Sequence, residues 1–161
     1  MVKRQGVWLT VFAGLVGALE LACISPPPRP SDADLVLQFT RDSVNYQRVI
    51  TMLAADTNIE TIAPEFLRRV GRSFQDASAA EVGITQTRLA EYRRILDSLG
   101  VIHLTRWERD QVMFATWASG WAGNTHHRGI AWLPKPLPKL PSSIGGRRFR
   151  LIKGPWYMFE D

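Results

Sequence analysis

The stretch Thr85-Gln-Thr-Arg-Leu-Ala-Glu-Tyr-Arg-Arg-Ile-Leu-Asp-Ser-Leu-Gly100-Val-Ile-His-Leu-Thr105 contains the point at which the chain changes its period. Leu89, Tyr92, Leu96 and Leu99 recur three and four residues apart, which places them on one face of a helix. Thr85 is the expected cap, and Gly100 supplies the left-handed conformation that ends a helix. Beyond Gly100 the helical spacing stops. Val101 to Thr105 and Val112 to Trp117 read as strands, with the polar Glu108-Arg109-Asp110 as the turn between them. Gly129 to Leu133 is a third strand. Arg148 to Ile152 and Trp156 to Glu160 are a fourth and fifth, joined by Lys153-Gly154-Pro155.

Upstream of this switch the chain reads as helical. Asp32 is placed to cap a helix running to about Ala55, with Leu35, Phe39, Tyr46, Val49, Ile50 and Leu53 on one face. A second helix is expected from Ala63-Pro64, where proline suits the first turn, with Phe66, Leu67, Val70 and Phe74 as its stripe. Gln75 to Gly83 is a connector rich in Ala and Ser. The four prolines of Pro134-Lys-Pro-Leu-Pro-Lys-Leu-Pro141 exclude a central strand and make a surface arm, ending in a short turn at Ser142-Ser143-Ile144. The expected fold is therefore α+β: about three N-terminal helices, then a small antiparallel β-meander of four to five strands covered by the helices on one face. Residues 32–161 are expected to form this single domain.

The first 22 residues read as a signal peptide or a membrane anchor. Lys3 and Arg4 precede an uncharged run of 13 residues, Val7 to Leu19, which is the length of a signal core and short of the roughly 20 residues that span a bilayer. Cys23 follows within Leu19-Glu-Leu-Ala-Cys23 and is the expected lipid-attachment residue of a bacterial lipoprotein signal. Glu20 departs from that pattern, since the position is normally apolar. Two other readings stay open: an uncleaved anchor from Val7 to Ile24, and cleavage after Val16-Gly17-Ala18. Residues 23–31 hold Ser25-Pro-Pro-Pro-Arg-Pro30, a stiff tether. With one cysteine in the chain, no intramolecular disulfide can form, so the domain relies on its core.

Charge is unevenly spread. Residues 24–110 carry 11 Lys+Arg against 12 Asp+Glu, whereas 111–161 carry 7 against 2. In an exported protein this basic third faces either solvent or an anionic partner, such as lipid headgroups or cell-wall polymers. No nucleic-acid-binding motif is present, so nucleic acid is not an expected partner.

The densest polar cluster is Ser119-Gly-Trp-Ala-Gly-Asn-Thr-His-His-Arg-Gly129, read as a Gly-rich hairpin loop in which Asn124 and Thr125 hydrogen-bond their own backbone. Trp121, Asn124, His126 and Arg128 are its candidate ligand rim. His126 and His127 are adjacent and point to opposite faces of a strand, a poor chelate. No acidic residue lies between Gln111 and Phe159 to complete a zinc set. Ser119 lacks the surroundings of a nucleophile elbow. The pairs Asp56/Glu60 and Glu108/Asp110 read as helix-end and turn residues. No catalytic residue, cofactor or metal follows from these patterns. Five tryptophans, Trp107, Trp117, Trp121, Trp132 and Trp156, fall in the last third, as core or as a sugar-stacking surface.

Phe39…Tyr46…Met52…Asp56, Tyr92…Leu99-Gly100, Trp117-Ala-Ser-Gly-Trp-Ala-Gly-Asn-Thr-His-His-Arg-Gly-Ile-Ala-Trp-Leu-Pro134 and Ile152…Trp156-Tyr157 together resemble a group of small uncharacterised bacterial exported proteins and lipoproteins. The resemblance covers most of 32–161, and its specific part is the central strand pair. It implies a bacterial envelope setting and brings no activity or ligand. The expected function is a non-enzymatic, membrane-tethered envelope protein, exported and held by its N-terminal lipid or anchor, that binds an envelope protein or an anionic cell-wall polymer. The alternatives are an envelope-polymer hydrolase using the 119–129 loop and a toxin-antagonist or exclusion-type lipoprotein.

Overall fold

The computed structural model describes residues 28–161 apart from 73–74, 108–109, 122–123, 138–141 and 145, and for 121, 124 and 142–144 it describes the backbone alone. Residues 1–22, read as a signal peptide or anchor, Cys23 and Phe74 lie outside the described residues. Among these residues no helix is long and apolar enough to cross a membrane.

Among the described residues two helices and eight strands form in the order α1 (Asp32–Ala55), β1 (Ile59–Ile62), β2 (Leu67–Arg69), α2 (Gln86–Ser98), β3 (His103–Trp107), β4 (Gln111–Trp121), β5 (Asn124–Trp132), β6 (Ser142–Ile144), β7 (Arg147–Lys153) and β8 (Trp156–Glu160). All strands join one sheet in the order β2-β1-β3-β4-β5-β8-β7-β6, and every pairing is antiparallel. This corrects the expected α+β arrangement of about three helices and four to five strands. The helix expected from Ala63 is a hairpin instead. Ile59-Glu-Thr-Ile62 is rich in β-branched side chains, which suit a pleated surface. Ala63 to Phe66 form the turn, closed by the Ala63 N–H donating to Phe66 O at 2.9 Å. Gly71, at φ +79°, takes a conformation that an interior helical residue does not. The turn expected at Ser142–Ile144 is likewise a strand, paired with β7.

The cap of α1 is Ser31, not Asp32. Ser31 Oγ accepts from the Asp34 N–H at 3.2 Å while the Asp34 carboxylate accepts from the Ser31 N–H at 2.8 Å, a reciprocal capping box. Asp32 is thereby left in the first turn with its carboxylate free for other partners. At the end of α2, Gly100 has φ +60°. The Val101 N–H returns to Leu96 O and the Gly100 N–H to Asp97 O, both at 2.9 Å, a Schellman closure.

The sheet buries both faces. Against α1 and α2 lie Ile62, Leu67, Leu104, Val112, Phe114, Ile130 and Trp156, packed on Phe39, Tyr46, Val49, Leu89 and Tyr92. The other face buries Met113, Ala115, Ala131, Leu133, Phe149, Tyr157 and Phe159, with Trp107 and Leu137 packed against them. This second face is concave. In a flat sheet β3 and β7 are four strand spacings apart, roughly 19 Å. Yet the rings of Trp107 on β3 and Phe149 on β7 stack with centroids 6.2 Å apart at 11°, so the sheet coils on itself. Leu133, just after β5, and Leu137, from the proline-rich arm, fill part of the hollow.

Candidate functional site

One end of the molecule gathers a network of ion pairs. It holds the N-terminal turn of α1, the start of β5 and β7 and the end of β8. Strand register sets Trp117, Arg128, Glu160 and Arg148 side by side across β4, β5, β8 and β7. Arg128 is the centre. It is only 8% exposed, its Nη1 donates to Glu160 Oε2 at 2.6 Å, and its Nη2 donates to Asp32 Oδ1. Glu160 also pairs with Arg29 and Arg148, and Asp32 with Arg150. Burial acts to raise the Asp32 carboxyl, but the hydrogen bonds and charges of Arg128 and Arg150 outweigh it and hold the group below the usual carboxylate range. Between these groups opens a cleft of about 420 Å³, lined by Arg29, Trp117, His126, Arg128, Arg148 and Glu160 among others. The Arg29 guanidinium lies 5.9 Å from the Trp117 ring centroid, within the range of a cation–π contact.

The opposite face of the same strands carries a second polar line. Arg147 Nε donates to Asp161 Oδ2 at 3.1 Å, and the His127 N–H donates to Asp161 Oδ1 at 2.6 Å. The His127 Nδ1 is 3.2 Å from the same oxygen. The His103 ring meets His127 edge to face at 5.0 Å. Burial, then the neighbouring His127 charge, pushes His103 down to about 4, against the pull of Asp161 and with a further push from Arg68. A histidine buried neutral binds its proton more readily when unfolded. Its contribution to stability is therefore complete above pH 6.5 and is lost as pH falls from 6.5 toward 4. That loss amounts to roughly 2 kcal/mol by pH 5. Thermal melts of the wild type and His103→Gln at pH 7.5 and pH 5 check this. The acid-induced fall in Tm should be smaller in the variant, and an equal fall in both would place the acid sensitivity elsewhere.

The candidate rim is divided by this geometry. Trp121 and Asn124 are register partners at the tip of the β4–β5 hairpin, and their side chains lie outside the described residues. His126 is exposed, with Nδ1 3.0 Å from the Asp161 backbone oxygen. Arg128 is buried in the ion-pair network and lines the same cleft as His126. Ser119 to Gly129 is correspondingly not a loop: β4 runs to Trp121 and β5 starts at Asn124. His127, not His126, meets both the His103 ring and the Asp161 carboxylate. Among the described residues neither ring of that pair is hydrogen-bonded to a hydroxyl or thiol, and no group of three His, Cys, Asp or Glu side chains is arranged to hold a metal.

Asp32, Arg29, Arg147, Glu160 and Asp161 were not foreseen as site residues. The local pattern does carry one hint. In Arg147-Arg-Phe-Arg150 strand alternation turns Arg148 and Arg150 to one face and Arg147 to the other. No protein-family model, curated protein or solved structure matches this chain.

Proposed function

We infer that this protein is a non-enzymatic, membrane-tethered protein of the bacterial envelope that binds an anionic envelope partner through its arginine-rich end. The observation that carries this reading is the imbalance of charge there. Within one ion-pair network four arginines, Arg29, Arg128, Arg148 and Arg150, are paired with two carboxylates, Asp32 and Glu160, while across the sheet Arg147 pairs with Asp161. The carboxylates are saturated and the surplus is positive, which favours an anionic partner. The export reading of residues 1–23 supplies the setting. The hydrolase alternative gains little support, because the His103–His127–Asp161 line has no nucleophile hydrogen-bonded to it among the described residues.

The test has two parts. Intact mass of the protein from its native membrane fraction should show a chain beginning at Cys23 and carrying diacylglycerol and acyl chains. An unmodified full-length mass would withdraw the lipid from Cys23 and leave the anchor reading. In-cell photocrosslinking from position 148 should then capture an envelope component that crosslinking from Thr87, near the start of α2 at the far end, does not. Equal capture from both positions would contradict the assignment.

A further inference from the structure

We propose that the arginine-rich end lies flat on the anionic lipid headgroups of the membrane that carries the N-terminal segment; the idea rests on the tethered reading above and names its partner. The first argument is where the tether enters. Arg29 is paired with Glu160, so the chain joins the domain at this end and not at the far one. Arg29 lies six residues after Cys23, a span of at most about 21 Å. The basic end therefore cannot leave the headgroup region by more than two to three Debye lengths of about 8 Å.

The second argument is the layering of charge. The Arg29, Arg148 and Arg150 side chains are 51%, 66% and 60% exposed, while Glu160 and Asp32 beneath them are 15% and 39% exposed. Cations face outward and carboxylates inward, which presents a positive surface although the ion pairs are made. Of the other acidic groups at this end, Asp161 is paired with Arg147, the Asp34 carboxylate is folded back on Ser31, and Asp97 is preceded by Arg93 and Arg94 on the same helix. The third argument is apolar exposure at the same end. Val36, Leu37 and Ile102 are 39%, 68% and 41% exposed. Gln38 Nε2 donates to Leu99 O at 2.5 Å, which brings this part of α1 beside the α2–β3 junction that carries Ile102. Exposed aliphatic side chains at a basic end are the composition of a surface that settles into the headgroup boundary.

The experiment uses the full chain with vesicles of phosphatidylcholine alone and of phosphatidylcholine with about 30% phosphatidylglycerol. Flotation reports attachment, and hydrogen–deuterium exchange over residues 29–41 and 146–151 reports docking. The expected result is flotation with both vesicles and protection of those segments with the anionic ones only. Arg148→Gln combined with Arg150→Gln should reduce that protection roughly thirtyfold, for two cations removed from the surface. Melting of the double variant checks its fold. Should it not fold, wild type in about 1 M salt, where screening falls to about 3 Å, should lose the same protection.

Flotation with both vesicles but equal exchange would overturn docking and leave the tether intact. Flotation with the anionic vesicles alone would support docking and remove the tether. Flotation with neither would overturn both. Equal protection by soluble polyglutamate without vesicles would overturn the lipid assignment and give the face to an anionic polymer.

Discussion

Gly129→Ala is expected to lower stability by at least about 4 kcal/mol, among the largest losses a single substitution gives. A Cβ at this position would lie 2.0 Å from the Phe114 carbonyl oxygen and 3.0 Å from both Phe114 C and Ala115 Cα. All three are backbone atoms of the neighbouring strand, so no rotamer change relieves the overlap, and β4 and β5 must separate. At roughly 3–5 °C per kcal/mol for a domain of this size, the melting temperature should fall by about 12–20 °C. The cause is curvature. Gly129 pairs with Ala115 just before the register shift between Ala115 and Trp117. Its row across the concave face continues through Phe159 to Phe149. Small residues stand where the sheet bends and large rings fill the hollow they create, a use of glycine and bulge common at sharp sheet bends. A melting temperature within a few degrees of wild type would mean that the two strands do not approach this closely.

That requirement is not legible in the sequence, and the reason is general to this chain. Gly129 ends the Gly-rich segment 119–129 that reads as a hairpin loop and opens the strand that follows, and its partner strand fixes its role. What local spacing could show, it showed. The apolar faces of α1 and α2, the break at Gly100 and the last strand all follow from side-chain periods within a dozen residues. The segment 59–69 fails the same approach. Phe66, Leu67 and Val70 fall at spacings that a helix also uses, and strand formation depends on Thr61 pairing with Thr105 and Ile62 with Leu104. Those contacts span more than forty residues. The charged end is less legible still. Asp32 reads as a helix cap, and only the folded chain reveals Ser31 in that role and Asp32 beneath Arg128 and Arg150. Among the histidines, adjacency drew attention to His126 and His127 together. Strand alternation divides them, and the partner that distinguishes them, Asp161, lies 34 residues from His127.

Arg128→Met should cost about 3 kcal/mol of stability, with Arg128→Lys falling between it and wild type. Removing one member of a buried ion pair leaves its partner charge uncompensated and typically costs 3–5 kcal/mol. The low end applies here because each orphaned carboxylate keeps another arginine: Arg29 and Arg148 at Glu160, Arg150 at Asp32. Lysine restores the charge but lacks the planar fork that reaches two carboxylates at once. The double variant Arg128→Met, Asp32→Asn should then be destabilised by at least about 1 kcal/mol less than the sum of the single changes, since one lost pair would otherwise be counted twice. Arg128 joins the first turn of α1 to β5 and β8, so its loss should loosen the end that holds Arg29. It should also leave Arg29, Arg148 and Arg150 in place on the surface. Chemical denaturation therefore separates the two roles assigned to this residue. A large loss of stability with headgroup protection retained in the folded protein marks a structural tie. Unchanged stability with loss of partner capture would return Arg128 to the ligand rim, beside His126.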